Sequence, residues 1–252
     1  MWVLAVPPTG QAHIIAHMRH CQWLPGLAAC AAVALAHAGS AASWSDTALT
    51  RLEALALLET LNAELLSSAS ATLTLEQWCR DHALAEPAQI LARRTDTTPE
   101  PPESTTRSVL QLTVNESVRY RRVELVCGEH VLSIAENWYV PARLTPAMNQ
   151  QLETTQVPFG RVVQPLHPHR ETILARLLWQ PLPPDWFSGH LAADGPSSDP
   201  LEMPAGLIEH RAILYSADHR PIAEVHEIYQ RDLLDFPEPG LSSSETRLRA
   251  TR

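Results

Sequence analysis

The segment Val118–Pro141 reads VRYRRVELVCGEHVLSIAENWYVP, and the rest of the chain is organised around it. Two β-prone runs, Tyr120–Cys127 and Val131–Val140, flank Gly128-Glu129-His130. Glycine supplies the positive φ that a tight reversal needs, so the spacing predicts an antiparallel hairpin. Val123 and Leu125 alternate with Arg122 and Glu124, the pattern of a strand buried on one face. In the second run Leu132, Ile134, Trp138 and Val140 share one parity. Ser133, Ala135, Asn137 and Tyr139 share the other. Pro141 has no N–H to donate and ends the ladder.

Upstream, Asp46–Ser67 carries a helical pattern, with Leu52, Leu55, Leu58 and Leu65 as an apolar stripe set against Glu59 and Asn62. Ser45 or Asp46 is the expected N-cap. Thr72–His82 forms a second amphipathic helix, and Ile90-Leu91-Ala92 a short strand that pairs elsewhere in the sheet. Thr95–Thr106 reads as a loop. Downstream, Leu144–Thr154 is expected to be helical with Thr145 as N-cap and Pro146 in the first turn. Thr172–Trp179 is a further apolar segment. Residues 181–204 carry Pro-Leu-Pro-Pro and no periodicity, an irregular insertion. Ile208–Tyr215 and Pro221–Tyr229 read as closing strands, and the polar tail 237–252 as disordered.

The formal charge of −9 argues against nucleic acid as a partner, since a phosphate-binding surface needs a basic footprint. All 19 basic residues are arginine. A chain without lysine has no Walker A loop, no Schiff-base amine and no Ser-Lys pair. The 21 prolines against 9 glycines point to stiff loops rather than a glycine-rich cofactor cradle. Twelve histidines invite a metal, but none has zinc-protease or zinc-finger spacing, so no metal is expected. The serines lack a Gly-x-Ser-x-Gly elbow.

Residues 1–42 hold one formal charge, Arg19. Met18-Arg19-His20 followed by Leu24–Ala36 has the charged start and apolar centre of a signal peptide, and Ala36-His37-Ala38 and Ser40-Ala41-Ala42 offer small residues for cleavage. This reading makes 1–17 an upstream extension and the mature chain periplasmic, with no stable membrane span. A lipobox-like Leu27-Ala28-Ala29-Cys30 is a second version, against which the apolar run continues past Cys30. A wrongly assigned start, with a cytoplasmic protein, is the alternative. Cys79 and Cys127 remain after cleavage, and either a disulfide or two buried thiols fits them.

Tyr120–Cys127, Val140-Pro141, Pro158-Phe159-Gly160-Arg161 and Pro221–Leu234 resemble, in order, the landmarks of chorismate pyruvate-lyase and its relatives. Ser70-Ala71-Thr72-Leu73-Thr74-Leu75-Glu76 resembles that family's first segment, so the similarity spans residues 50–236 of a domain at 43–236. The resemblance implies an α+β fold: an antiparallel sheet with helices packed on one side, enclosing a small cavity beneath helical flaps. It implies a cofactor-free elimination of pyruvate from chorismate to leave 4-hydroxybenzoate, or binding of a related small aromatic or cyclic carboxylate. Arg122 stands at the family's carboxylate-binding arginine, Glu227 at its carboxylate near the ether and hydroxyl end, and Phe159 at an apolar flap residue. Asn137 stands where the family commonly has an arginine, so it can hydrogen-bond an anion but cannot neutralise it.

From the residues alone, a strand arginine such as Arg122 more often faces water, and Phe159 is more often core. Glu227 is better placed, sharing parity with Ala223, Val225 and Tyr229 on an apolar face. Asn137 and the leader favour an alternative function, a non-catalytic exported ligand-binding or sensory protein on the same fold. A secreted structural protein with a filled core is a third reading.

Overall fold

The computed structural model describes residues 44–95, 104–188 and 199–238. The expected leader, the centre of the 181–204 insertion and the tail beyond 238 lie outside the described residues. The described residues all fall within the unit Ser40–Arg252.

The hairpin forms as the sequence predicts. Strand β2 (Arg119–Cys127) pairs antiparallel with β3 (His130–Tyr139). Gly128 takes φ +57° at the turn, a conformation that a Cβ disfavours. Four further strands complete the sheet: β1 (Ile90–Arg94), β4 (His169–Leu177), β5 (Gly206–Tyr215) and β6 (Pro221–Gln230). Their order is β1-β2-β3-β6-β5-β4, and every pairing is antiparallel.

Register sorts the side chains onto two faces, because directly opposed residues project the same way. Val123 opposes Ala135, Ala135 opposes Glu227, and Glu227 opposes His210. This is the inner face. Arg122 opposes Glu136, Glu136 opposes His226, and the outer face carries a polar ladder. There Tyr120 Oη donates to Glu136 at 2.6 Å, and His226 bridges Glu136 at 3.3 Å and Glu209 at 2.9 Å.

Helices α1 (Ala48–Ser67), α2 (Ala71–Asp81), α4 (Pro146–Thr154) and α5 (Phe159–Val162) contribute apolar residues to the inner side, and a short α3 (Ser104–Val109) contacts β6. The fold class is α+β. Thr145 caps α4 with Pro146 in its first turn, as expected. The α1 cap is Thr47, whose Oγ1 accepts from Thr50 N at 3.1 Å, rather than Ser45 or Asp46. Asp46 instead accepts from Arg51 Nε at 2.6 Å. The buried stripe of α1 is Ala54, Leu58, Leu61 and Leu65, while Leu52 is exposed. A three-residue spacing drifts off a 3.6-residue turn, whereas steps of four, three and four stay on one face. Each of the three stripe leucines contributes about 2 kcal/mol of apolar transfer free energy. No helix among the described residues is long and apolar enough to cross a membrane.

The core has two clusters. One joins α1 and α2 to Val123, Leu125, Ala135, Ile208 and Tyr229. The other joins α4 and α5 to Tyr139, Ala212, Leu214 and Val225. Cys79 of α2 and Cys127 of β2 are disulfide-bonded, which decides between the two readings of those cysteines. The chain after β6 folds back over the first cluster: Trp44 Nε1 donates to Phe236 O and Trp78 Nε1 to Leu233 O, both at 2.9 Å. Glu238 accepts from Thr50 Oγ1 at 2.8 Å.

Candidate functional site

The two core clusters do not fuse completely. Between them lies a cavity of about 30 Å³, floored by Val123, Leu125 and Ala135 of one cluster and by Leu214 and Val225 of the other. Its roof is the end of the α1–α2 connection, Ala69 and Ser70, with Ala71 and Thr72 of α2, closed against Phe159 and Gly160 of α5. The polar wall is Asn137, Arg170 and Glu227.

Glu227 is where the parity of β6 predicts, buried on the inner face. Arg170, from the start of β4, reaches it at 2.7 Å, and both side chains are more than nine-tenths buried. Tyr229 Oη donates to the same carboxylate at 3.1 Å. Burial, the largest influence, would lower the Arg170 pKa, but the Glu227 charge, Tyr229 and the hydrogen bonds to both together outweigh it and raise the guanidinium above its ordinary value. Burial, then the Glu227 charge, pushes the Tyr229 phenol well above its usual range. His210, directly opposite Glu227, shares a 2.8 Å hydrogen bond with Asn62 of α1. Burial and then the Arg170 charge pull its pKa down to about 4, so it stays neutral at pH 7. The cluster is a buried, charge-balanced pair braced by neutral donors and acceptors.

Asn137 is 3% exposed and lines the cavity, and its amide has no protein partner among the described residues. Phe159 is buried at the α5 end, tilted against Tyr139 with ring centroids 5.7 Å apart. The structure thus brings together Glu227, Asn137 and Phe159.

Arg122 is not among them. It lies on the outer face, half-buried, 3.9 Å from Glu136. The arginine on the inner face is its neighbour Arg121, 4% exposed and directly across from Asn137. Arg121 Nη2 donates to Val157 O at 3.3 Å, while Nε and Nη1 have no partner among the described residues. Burial and the nearby Arg94 pull its pKa down to about 10, and among the described residues it makes no salt bridge. Alternation from Val123 and Leu125 already puts Arg121 inside, whereas matching family landmarks selects Arg122. Arg170 carried a weaker signal, lying in His167-Pro168-His169-Arg170, a stretch that reads as a proline-rich loop but opens β4.

Two other arginines near the site are committed elsewhere. Arg161 pairs with Glu76 of α2. Arg143 holds Glu116 at 2.7 Å and donates to Leu110 O and Pro221 O. Beyond the roof lies a larger cleft of about 280 Å³, lined by Ala69, Ser70, Leu73, Gly160, Arg161 and His167. Among the described residues, no three His, Cys, Asp or Glu side chains converge as metal ligands.

No family model matches the sequence. The uncharacterized protein y4mC of Sinorhizobium fredii (strain NBRC 101917 / NGR234) is 48% identical over 200 residues, which cover 79% of this chain and 84% of y4mC. The chain belongs to the y4mC family. Solved structures similar to this y4mC-family chain include PhnF from Mycobacterium smegmatis, 14% identical with a TM-score of 0.41, covering 68% of each chain. The effector domain of PhnF is 13% identical with a TM-score of 0.39, covering 65% of this chain and 90% of that one. A GntR-family transcriptional regulator from Enterococcus faecalis V583 is 12% identical with a TM-score of 0.36, covering 57% of this chain and 96% of that one.

Proposed function

We propose that this protein binds one small, flat, hydroxylated carboxylate in the roofed cavity. The carrying observation is the polar wall, where Asn137, a buried amide with no protein partner among the described residues, stands beside the balanced Arg170–Glu227 pair, while the under-partnered Arg121 faces it across the β2–β3 ladder, outside the cavity lining. Burying an unpaired guanidinium is costly, and an anion beside it recovers that cost. A ligand carboxylate held by Arg121 and Asn137 takes that place. Glu227, already accepting from Arg170 and Tyr229, offers its remaining lone pairs to a ligand hydroxyl at the other end. Phe159 and the floor aliphatics enclose the ring.

The cavity as it stands has room for about two waters, whereas benzene occupies an apolar cavity of about 150 Å³. Ligand entry therefore requires the roof to move. A chorismate lyase-like elimination of pyruvate is the second reading. It is favoured by two inner-face guanidiniums, Arg121 and Arg170, which suit a substrate with two carboxylates. The chemistry needs no cofactor, because aromatisation drives it and the protein has mainly to position the substrate. Export to the periplasm belongs to the same proposal, and the Cys79–Cys127 bond supports it, since such bonds persist in oxidising compartments.

The experiment is incubation of the purified chain with chorismate, following 4-hydroxybenzoate release, beside a thermal-shift screen with 4-hydroxybenzoate and related acids. Stabilisation without product supports the binding protein, and product supports the lyase. No product and no stabilisation by any aromatic acid overturns both.

A further inference from the structure

The sheet has two edge strands, β1 and β4, and the chain treats them differently. The free side of β1 is occupied: Ile90 N donates to Glu76 Oε1 at 3.2 Å and Ala92 N to Gln156 O at 2.7 Å. Among the described residues, no backbone hydrogen bond from another segment reaches the free side of β4. Leu178 N donates to Leu207 O at 2.8 Å, and antiparallel ladders alternate between bonded and non-bonded pairs. The backbone groups of Ala175 and Leu177 therefore point away from β5. Those of Thr172 and Arg170 do the same on the other side of the bulge between Thr172 and Leu174. Ile173 at the bulge is 49% exposed and Leu178 at the strand's end 40%. An open row of this kind is a template for another strand.

Charges on such an edge can simply keep other chains off, but the order of these charges makes β4 complementary to itself. The strand reads HRETILARL. With Ile173 opposite Leu174 of a second copy, Thr172 meets Ala175 and Glu171 meets Arg176, each pair occurring twice. Thr172 and Ala175 oppose Ala212 and His210 and so share the inner face, whereas Glu171 and Arg176 oppose Ile213 and Glu209 and share the outer one. The outward backbone groups match in the same register, Thr172 with Ala175 and Arg170 with Leu177. Each strand carries its bulge at the centre, so both lengthen by one residue and stay in step. A slip of one residue either way crosses the faces and separates Glu171 from Arg176. Arg176 is 60% exposed at its side chain while it holds Glu209, and a guanidinium has N–H groups left for a second carboxylate.

We infer that β4 pairs antiparallel with β4 of a second copy, about a two-fold axis between Ile173 and Leu174, so that each six-stranded sheet continues into the other. Because β1 is covered, the pairing closes at two copies instead of running on as a filament. β4 also carries Arg170 to the cavity wall, which sets the two cavities on one continuous ladder. The dimer does not depend on what those cavities hold.

Sedimentation velocity on the purified chain, on Glu171→Arg, on Arg176→Glu and on the two combined tests the pairing. The wild-type chain should sediment as a dimer at micromolar concentration. Each single reversal sets like charges opposite each other twice and should weaken the dimer roughly tenfold or more. The combination restores opposite charges and should bring Kd back to within about threefold of wild type. Ala175→Pro removes a donor that β5 does not use, and should abolish the dimer while circular dichroism shows the fold retained. Glu171→Arg leaves the Arg176–Glu209 pair in place, so it reads the interface even where Arg176→Glu fails to fold. A monomeric wild-type chain overturns the inference and assigns the edge to cover by another segment of the same chain. A dimer that Glu171→Arg and Ala175→Pro leave unchanged overturns it too, as does weakening that the folded double variant does not reverse.

Discussion

Arg121 and Arg122 are adjacent in sequence and opposite in circumstance, and substitutions should separate them. Arg121→Met replaces a desolvated guanidinium having one neutral partner with an apolar chain of similar reach. It should leave stability unchanged or raise it by about 1–2 kcal/mol in urea titration, while carboxylate binding weakens roughly 10- to 100-fold. Arg122→Ala should shift stability by less than about 0.5 kcal/mol and leave binding intact. Glu227→Leu is the contrasting case. It strands Arg170 in an apolar wall, and unfolding should show a loss of about 3–5 kcal/mol. The inward carboxylate was legible because Glu227 shares parity with Ala223, Val225 and Tyr229, while Glu224 and His226 take the other. Its partner was not, because ion pairing joins residues 57 apart and no local pattern encodes that distance.

At the scale of elements, the hairpin, α4, β5 and β6 were legible because each carries its own turn, cap or alternation. Helix α5 was not. At four residues it is too short for periodicity, and it holds its place by burying Phe159 and Val162. The disulfide was open in the sequence for a related reason, since nothing local says that α2 crosses the end of β2. It links residues 48 apart, and the double replacement Cys79→Ala with Cys127→Ala should lower stability by about 2–4 kcal/mol in denaturant titration. Ligand affinity should fall further than for an equally destabilising change in α4, because α2 supplies one side of the roof.

For the whole molecule, His210 sets an acid limit on stability. Its folded pKa of about 4 lies below the ordinary 6.5, so between those values the unfolded chain binds a proton that the folded one excludes. Stability is therefore full above about pH 6.5 and declines toward pH 4, by on the order of 3 kcal/mol if the whole shift is realised. His82, whose pKa burial also lowers, adds a contribution of the same sign. His210→Gln should retain only this shallower slope. Glu116, held down to about 2 by its hydrogen bond from Arg143, acts in a separate window, losing its stabilisation below about pH 4.5. Urea titrations at half-unit pH intervals distinguish the two.

The strand order carries a consequence for biosynthesis. β6 is the last strand made among the described residues, yet it occupies the middle of the sheet between β3 and β5. Until residue 230 has emerged, the hairpin and the β4–β5 pair have no common ladder, and each presents an apolar edge to neighbouring ribosome products. Closure joins segments some 90 positions apart, as in Glu136 with His226, and long-range closure of that kind is slow. Shortening the chain by β6 should therefore yield inclusion bodies rather than a smaller soluble domain, read from the soluble and pelleted fractions after expression.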